Sequence, residues 1–162
     1  MTVKTAVILA GGLGTRLRSA VPNLPKPMAP IHDRPFLEYL MEYWIGQGIE
    51  NFILSVGYKH EIITEYFGSN WKGAPIKYVV EQSPLGTGGG LLLAAKELVT
   101  SFLVLNGDTF FEVDLKKMNQ FHNIHHAEWT FALFQTSELG RYMGIDVSRS
   151  GRVNSLQSNT SH

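Results

Sequence analysis

The sequence predicts an α/β fold: a Rossmann-like, doubly wound and mostly parallel sheet with helices on both faces. Short apolar runs typical of strands alternate along the chain with segments of helical periodicity. Several of these runs end in glycine or asparagine, at the strand ends where such sheets bind ligands. The 162 residues, 44% of them hydrophobic, are enough for one domain with a substantial core.

Two kinds of pattern predict the individual elements. Residues 3–10 form a continuous apolar run that stops at Gly11, which is typical of a parallel strand buried on both faces. In residues 36–48 the apolar side chains recur every three or four positions, which predicts a helix. The same patterns predict strands at 52–56, 76–80, 102–105 and 129–135, helices at 60–67, 91–99 and 115–126, and a hairpin of 144–147 with 152–156. Residues 86–90 are predicted to form a turn before the third helix.

The composition excludes several classes of function. Fourteen Lys and Arg balance fourteen Asp and Glu, so the chain lacks the basic excess typical of proteins that bind nucleic acid or anionic membranes. The absence of cysteine excludes a disulfide framework, a zinc ribbon and a thiol nucleophile. No apolar run approaches the roughly 18 residues of a membrane helix, and no signal peptide is recognisable. We therefore expect a cytoplasmic protein, and the sequence leaves open whether it forms a homo-oligomer.

A glycine-rich motif with two cations follows the first strand. It comprises Leu9, Gly11, Gly12, Gly14, Thr15, Arg16 and Leu17, followed by Pro25-Lys26-Pro27. Glycines after a buried strand let backbone N–H groups approach phosphate oxygens, and Arg16 and Lys26 can neutralise their charge. An ordinary glycine-rich turn is the alternative, and a dinucleotide-binding fingerprint would require a third glycine that is absent. The motif therefore predicts a phosphate-binding site.

This motif resembles the signature of the sugar-phosphate nucleotidyltransferases, which join a nucleoside triphosphate to a sugar 1-phosphate and release pyrophosphate. The resemblance covers residues 3–156 and is strongest to guanylyltransferases of D-glycero-α-D-manno-heptose 1-phosphate, then of mannose 1-phosphate. It implies a nucleotide-diphospho-sugar transferase type of fold, with a nucleotide-binding part at about 1–115 and a sugar-binding part at about 116–162 of a single domain. It also implies that the nucleotide is bound by Leu9, Gly11, Gly12, Gly14, Thr15 and Arg16, and that Arg16 and Lys26 are catalytic cations.

Asp108 follows the fourth predicted strand, in Leu105-Asn106-Gly107-Asp108-Thr109. Taken alone, Asn-Gly-Asp is typical of an ordinary turn. The family resemblance instead implies that Asp108 is a catalytic carboxylate that binds Mg²⁺. One aspartate is compatible with part of such a site, because Mg²⁺ takes few protein carboxylates and completes its shell with phosphate oxygens and water.

The segment from Glu81 to Gly89 resembles the base-binding loop of the same family, which implies that Glu81, Gln82, Gly86 and Thr87 bind the nucleotide. A carboxylate accepts hydrogen bonds and donates none. It suits the N1–H and N2–H₂ groups of guanine and is wrong for the acceptor-rich edges of uracil and thymine. We therefore expect GTP, with two alternatives open: that Gln82 contacts the base, or that Glu81 is a solvated residue at a strand end.

Residues 141–146 resemble the segment that contacts the sugar, which implies that Gly144 and Asp146 bind the sugar phosphate together with Lys26. Asp146 could equally be an exposed hairpin residue. Two departures from the family follow Leu156. Residues 158–160 replace the usual Glu-Lys-Pro, and the several dozen further residues that supply a second metal-binding aspartate are missing. We therefore expect a C-terminally truncated chain.

Three functions remain open at this point. The first is an Mg²⁺-dependent guanylyltransferase that acts on a manno-configured sugar 1-phosphate, and it is the function we expect. The second is a non-catalytic, nucleotide-binding remnant of such an enzyme. The third is a uridylyl- or thymidylyltransferase that acts on a hexose 1-phosphate.

Overall fold

A computed structural model describes residues 2–12, 23–135 and 144–157. The strands in these ranges are β1 (Thr5–Ala10), β2 (Pro30–Ile31), β3 (Arg34–Pro35), β4 (Asn51–Val56), β5 (Asn70–Trp71), β6 (Ala74–Val80), β7 (Leu103–Asn106), β8 (Gly144–Val147) and β9 (Val153–Gln157). The helices are α1 (Phe36–Gly46), α2 (His60–Phe67), α3 (Gly86–Ala95) and α4 (Leu115–Ile124), with one 3₁₀ turn at Lys26–Met28. The chain divides into two compact units, one up to Thr130 and one from Phe131.

Five strands of the first unit form one sheet in the order β5-β6-β4-β1-β7. β1 lies between β4 and β7 and runs parallel to both, with Ala10 opposite Val56 and Leu9 opposite Asn106. β6 runs parallel to β4, and only the short edge strand β5 is antiparallel in this sheet. The predicted doubly wound, mostly parallel fold is confirmed. Because four strands are parallel, their carboxyl ends meet at one edge of the sheet.

Helices cover both faces of this sheet. Alternate side chains of β1 point to opposite faces and belong to two separate cores. Val7 belongs to a small core with Ile53 and Ala94, the last of which lies on α3. The larger core joins Ala6, Ile8 and Ala10 to buried side chains of α1 (Leu37, Leu40, Met41, Trp44), α2 (Ile63, Phe67) and α4 (Leu115). None of the helices in the described ranges is long and apolar enough to cross a membrane.

α3 begins five residues earlier than the sequence predicts, so the prediction of a turn at residues 86–90 is wrong. Glycine is a poor helix former, at about 1 kcal/mol per residue relative to alanine. Tertiary packing outweighs this cost at Gly90. A Cβ atom there would lie 2.7 Å from Glu81 Oε1 and 3.2 Å from Ser55 Oγ, so glycine leaves the room that the Glu81 carboxylate occupies between α3 and β4.

The prediction of a strand at residues 129–135 is also wrong, because these residues lie in neither a helix nor a strand. Apolar alternation records which side chains tend to be buried. A strand forms only where the backbone also finds a neighbour for its ladder of hydrogen bonds. Sequence periodicity carries no information on that neighbour.

The second unit contains the predicted hairpin. β8 and β9 pair in antiparallel fashion, with Ile145 opposite Leu156. The register shifts after Asp146, where Val147 pairs with Val153, so that Asn154 is the extra residue of a β-bulge. β9 begins one residue later than expected.

Candidate functional site

The carboxyl ends of the parallel strands position the residues that the sequence predicts for the site. Gly11 follows β1, Gly57 follows β4, Glu81 follows β6, and Gly107 and Asp108 follow β7. Backbone hydrogen bonds continue past the strand ends, from Glu81 N to Val56 O at 2.8 Å and from Gly107 N to Leu9 O at 2.8 Å. These bonds hold the residues after neighbouring strands at one edge of the sheet.

The carboxylate of Glu81 is anchored by two donors from two different elements. Ser55 Oγ on β4 donates to Glu81 Oε1 at 2.9 Å, and the backbone N–H of Leu85 donates to Oε2 at 3.2 Å. The Ser55 side chain is fully buried, whereas Glu81 is partly buried. This geometry argues against the interpretation of Glu81 as a merely solvated residue at a strand end.

Three glycines at the strand ends, Gly11, Gly57 and Gly107, allow close packing around the end of β1 and the Glu81 carboxylate. A Cβ atom on Gly11 would lie 2.5 Å from Glu81 Oε1, which no real structure tolerates without a shift. A Cβ atom on Gly57 would lie 3.0 Å from Gly11 O, and one on Gly107 would lie 3.1 Å from Leu9 O. The end of β1 and Gly11 are therefore packed against the glycines that follow both neighbouring strands.

Lys26 and Asp108 form an ion pair at this edge, although 82 positions separate them in the sequence. Lys26 Nζ lies 2.5 Å from Asp108 Oδ2, and Asp108 Oδ1 accepts from Thr109 Oγ1 at 3.1 Å. Both paired side chains are about one-third exposed, at 38% and 34%. Lys26 begins the 3₁₀ turn, and the prolines on either side restrict its backbone. The structure thus brings together the lysine and the aspartate that sequence reasoning assigned to one site.

The loop after β6 leads directly into α3. Gly86 opens the helix with a φ of +70°, a conformation that strongly favours glycine. Gln82 and Thr87 on either side of it are exposed. The Leu85 N–H that binds Glu81 lies at the start of the same helix, where backbone N–H groups lack partners within the helix.

Comparison with known proteins decides the family. The sequence model of the nucleotidyl transferase family matches residues 5–158, nearly the whole chain. This chain belongs to the nucleotidyltransferase family. Its fold and the order of its motifs agree with that membership.

Its relatives include sugar-phosphate guanylyltransferases. The D-glycero-alpha-D-manno-heptose 1-phosphate guanylyltransferase of Aneurinibacillus thermoaerophilus is 50% identical over 91% of this chain and 64% of its own length. The enzyme of the same name from Campylobacter jejuni is 45% identical over 94% of this chain and 67% of its own length. The crystal structure of HddC from Yersinia pseudotuberculosis complexed with GMP-PN has a TM-score of 0.75 and 37% identity, covering 96% of this chain and 69% of that one. The chain therefore spans about two thirds of the length of these proteins.

Part of the predicted phosphate loop lies outside the described residues, namely Gly14, Thr15 and Arg16. Gly12 is described and exposed. Leu9 is partly buried, with its side chain packed against the smaller core and its carbonyl bonded to Gly107 N.

The residues proposed for the sugar lie on the hairpin of the second unit. Gly144 and Asp146 both lie on β8. Asp146 is exposed, and its Oδ2 accepts from Asn154 Nδ2 on β9 at 3.1 Å. The carboxylate therefore has a partner within the hairpin, which agrees with the alternative that Asp146 is a hairpin residue, and its exposure leaves it accessible to a sugar hydroxyl.

Asp108 can supply part of a magnesium site in this nucleotidyltransferase. Within residues 2–12, 23–135 and 144–157, no three His, Asp or Glu side chains group as metal ligands. Mg²⁺ needs few protein carboxylates and takes its other ligands from phosphate oxygens and water. The single partly exposed carboxylate of Asp108 fits that requirement, with Lys26 beside it.

Sequence reasoning missed Ser55, Gly57, Gly90 and Gly107. The signal for Gly57 and Gly107 was present, since Gly57 directly follows one predicted strand and Gly107 lies two residues after another. Ser55 stands in the apolar run of β4, where a small polar residue gives no periodic signal. Its role depends on a partner 26 positions away and becomes visible only in three dimensions.

Proposed function

We propose that this chain binds GTP and transfers its GMP group to a sugar 1-phosphate, with release of pyrophosphate. The anchored carboxylate of Glu81 carries the proposal, because it stands beside the glycine loop and can only accept hydrogen bonds. We propose D-glycero-α-D-manno-heptose 1-phosphate as the sugar substrate, with mannose 1-phosphate second, since two relatives named for the heptose substrate are 50% and 45% identical.

The choice of base follows from the acceptor sites of the Glu81 carboxylate. A carboxylate offers about four acceptor sites on its two oxygens. Ser55 occupies one acceptor site on Oε1, and Leu85 occupies one on Oε2. Each carboxylate oxygen can therefore accept one more hydrogen bond. Guanine presents two adjacent donors, N1–H and N2–H₂, and so supplies one donor for each oxygen. Uracil and thymine would bring a carbonyl oxygen against a carboxylate, and an unmade hydrogen bond at such a site costs about 1–3 kcal/mol.

The reaction itself requires alignment and charge neutralisation. A phosphate oxygen of the sugar 1-phosphate attacks the α-phosphorus of GTP, and the bond from that phosphorus to the bridging oxygen of pyrophosphate breaks. The attacking phosphate is already anionic, with a second pKa near 6, so no general base is needed. We assign Lys26 to the reacting phosphates and Arg16 to the charge that develops in the transition state.

We assign Mg²⁺ as the cofactor and Asp108 as its ligand. When bound, the ion would neutralise phosphate charge and hold phosphate oxygens in place. Asp108 pairs with Lys26 Nζ and thereby holds this cation at the carboxyl edge of the sheet. This position supports the assignment of Lys26 to the phosphates of the substrates.

We propose that the strand ends of the first unit, with Gly11, Gly12, Gly86 and Thr87, bind the nucleotide, and that Gly144 and Asp146 of the hairpin contact the sugar. Both substrates are water-soluble phosphate esters, which supports a reaction in the cytoplasm. The assignment of Gly144 and Asp146 to the sugar rests on the resemblance and on the exposure of Asp146.

The test is pyrophosphate release by the 162-residue chain with each nucleoside triphosphate and a panel of sugar 1-phosphates, at saturating Mg²⁺. We expect release that requires both GTP and a manno-configured sugar 1-phosphate. Faster release with UTP or dTTP would contradict the choice of base. Calorimetric binding of GTP without any release would identify the chain as a non-catalytic nucleotide-binding module.

A further inference from the structure

We propose that Ser55 is a positioning residue for base selection in the function proposed above, on which this inference rests. Its buried hydroxyl and the N–H of Leu85 together fix the Glu81 carboxylate, so that each carboxylate oxygen keeps one acceptor site for guanine. Ser55 itself lies in the sheet, with its side chain fully buried.

The surroundings of Ser55 support this role. It lies near the end of β4, between Leu9 of β1 and Val79 of β6, and is fully buried among apolar neighbours. A buried hydroxyl needs a hydrogen-bond partner, since an unsatisfied one costs about 1–3 kcal/mol. Its partner is Glu81 Oε1, at 2.9 Å. A small polar side chain in the centre of the sheet thus connects directly to the predicted base-contacting residue.

The walls around the carboxylate restrict it further. Gly11 and Gly90 approach so closely that a Cβ atom on either would lie within 2.7 Å of Glu81 Oε1. The two glycines bound the space in which the carboxylate can turn, and the two donors select one orientation within it. A carboxylate held in one orientation loses little conformational entropy on binding and discriminates more sharply between donor and acceptor edges.

The two donors differ in a way that matters for selectivity. The Leu85 N–H can only donate, whereas the Ser55 hydroxyl can donate or accept. With glutamate at position 81, both groups donate to it. With glutamine there, Leu85 would hold the amide oxygen, and the Ser55 oxygen could accept from the amide NH₂. The Leu85 N–H therefore selects the oxygen of either residue type, and the Ser55 hydroxyl holds the other end of the side chain by donating to glutamate or accepting from glutamine.

The experiment is a double-mutant cycle on the full 162-residue chain, with the Kd values of GTP and UTP measured by calorimetry in the presence of Mg²⁺. The variants are Ser55→Ala, Glu81→Ala and their combination, with the exposed Ser101→Ala as the matched control. We expect Ser55→Ala to weaken GTP binding about tenfold and to leave UTP binding unchanged. In the Glu81→Ala background, the same substitution should have no further effect.

A second pair of variants tests the same carboxylate without removing the hydroxyl. Gly90→Ala places a methyl group 2.7 Å from Glu81 Oε1 and 3.2 Å from Ser55 Oγ, so the carboxylate at the end of the Glu81 side chain must move. We expect about a tenfold loss of GTP affinity with an unchanged affinity for UTP. Gly46→Ala on α1 is the matched control, because a Cβ atom there meets no atom within 4 Å.

The outcomes separate this inference from the function on which it rests. If the wild-type chain prefers UTP or does not bind GTP, the proposed function fails and this inference fails with it. If the wild type prefers GTP and Ser55→Ala binds it normally, only the inference is overturned. Equal losses for GTP and UTP, or an equal loss in the Glu81→Ala background, would show that Ser55 stabilises the fold and does not position Glu81.

Discussion

At the scale of single residues, the described part of the candidate site contains one anchored carboxylate, Glu81, and one ion pair, Lys26 with Asp108. Glu81 was predicted from the chemistry of a carboxylate facing guanine, and the structure adds the two donors that hold it. Lys26 and Asp108 were predicted from separate motifs, and in the structure Lys26 Nζ lies 2.5 Å from Asp108 Oδ2. Ser55 could not be predicted, because its role depends on a contact between two strands and leaves no pattern along the chain.

Glu81→Gln tests the choice of base. The amide keeps the size of the side chain and converts one acceptor into a donor. We expect the kcat/KM for GTP to fall by an amount equivalent to about 1–3 kcal/mol, while the values for UTP and dTTP do not fall. The measurement is steady-state kinetics with each triphosphate for wild type and variant. A GTP preference that survives unchanged would assign the base contact to Gln82 or to backbone groups.

Asp108→Asn tests the metal ligand. An amide is a poor replacement for a carboxylate on a hard cation, so we expect a sharp rise in the Mg²⁺ concentration that gives half-maximal turnover. Thr109→Val is the control, since it removes the neighbouring hydroxyl and keeps the carboxylate. The same Mg²⁺ dependence in Asp108→Asn and wild type would place the ligand elsewhere.

At the scale of elements, the sequence pattern predicted most strands and helices correctly, and the wrong predictions concern elements that depend on tertiary packing. β1, α1, β4, α2 and β6 begin and end within two residues of their predicted limits, because burial on a sheet or on one helix face imposes periodicity. The start of α3 was misplaced because its glycines disfavour a helix, although one of them, Gly90, leaves the room that the Glu81 carboxylate occupies. The strand predicted at 129–135 was wrong because the ladder that a strand requires is not encoded in a local pattern.

A charged network joins three elements beside the sheet. Arg34 on β3 donates to Glu38 Oε2 at 2.6 Å and to Glu42 Oε1 at 2.5 Å, and both glutamates lie on α1. Lys72, in the turn between β5 and β6, lies 2.5 Å from the same Glu42 oxygen. The Lys72 ammonium, and to a lesser extent the Arg34 guanidinium, lower the pKa of Glu42 against the opposing effect of burial.

This network predicts a pH dependence of stability. The pKa of Glu42 is lower in the folded than in the unfolded chain, so its contribution is complete above the unfolded value of about 4.5 and is lost as pH falls through the folded pKa. Urea unfolding between pH 7 and pH 3 should show a smaller acid-induced loss for Glu42→Gln than for wild type. Exposed Glu65→Gln on α2 is the control. An equal loss in Glu42→Gln and wild type would show that the network does not stabilise the fold.

At the scale of the whole molecule, the chain has balanced charge and is built in two units. Attraction of the proposed triphosphate substrate would therefore depend on local cations such as Lys26 and on backbone N–H groups. The chain spans 64% and 67% of the length of two guanylyltransferases that it matches. The described strand ends that surround Glu81, Lys26 and Asp108 all belong to the first unit.

Nucleotide binding should therefore stabilise the chain selectively. A ligand that binds only the folded state at 100 times its Kd adds about 2.7 kcal/mol to the free energy of unfolding. We expect GTP with Mg²⁺ to raise the melting temperature by about 5–10 °C at that excess, and UTP at the same concentration to raise it less. Differential scanning fluorimetry provides the measurement. An equal or larger shift with UTP would contradict selection of guanine by the folded chain.

Direct competition tests the central claim, transfer of a guanylyl group to a sugar 1-phosphate. The chain is incubated with Mg²⁺, D-glycero-α-D-manno-heptose 1-phosphate and equal concentrations of GTP, ATP, UTP and dTTP, and the products are identified by mass spectrometry. We predict that the GDP-heptose predominates and that its formation is lost in Lys26→Met. Predominance of the UDP- or dTDP-linked sugar, or a nucleotide sugar formed equally well by Lys26→Met, would contradict the account.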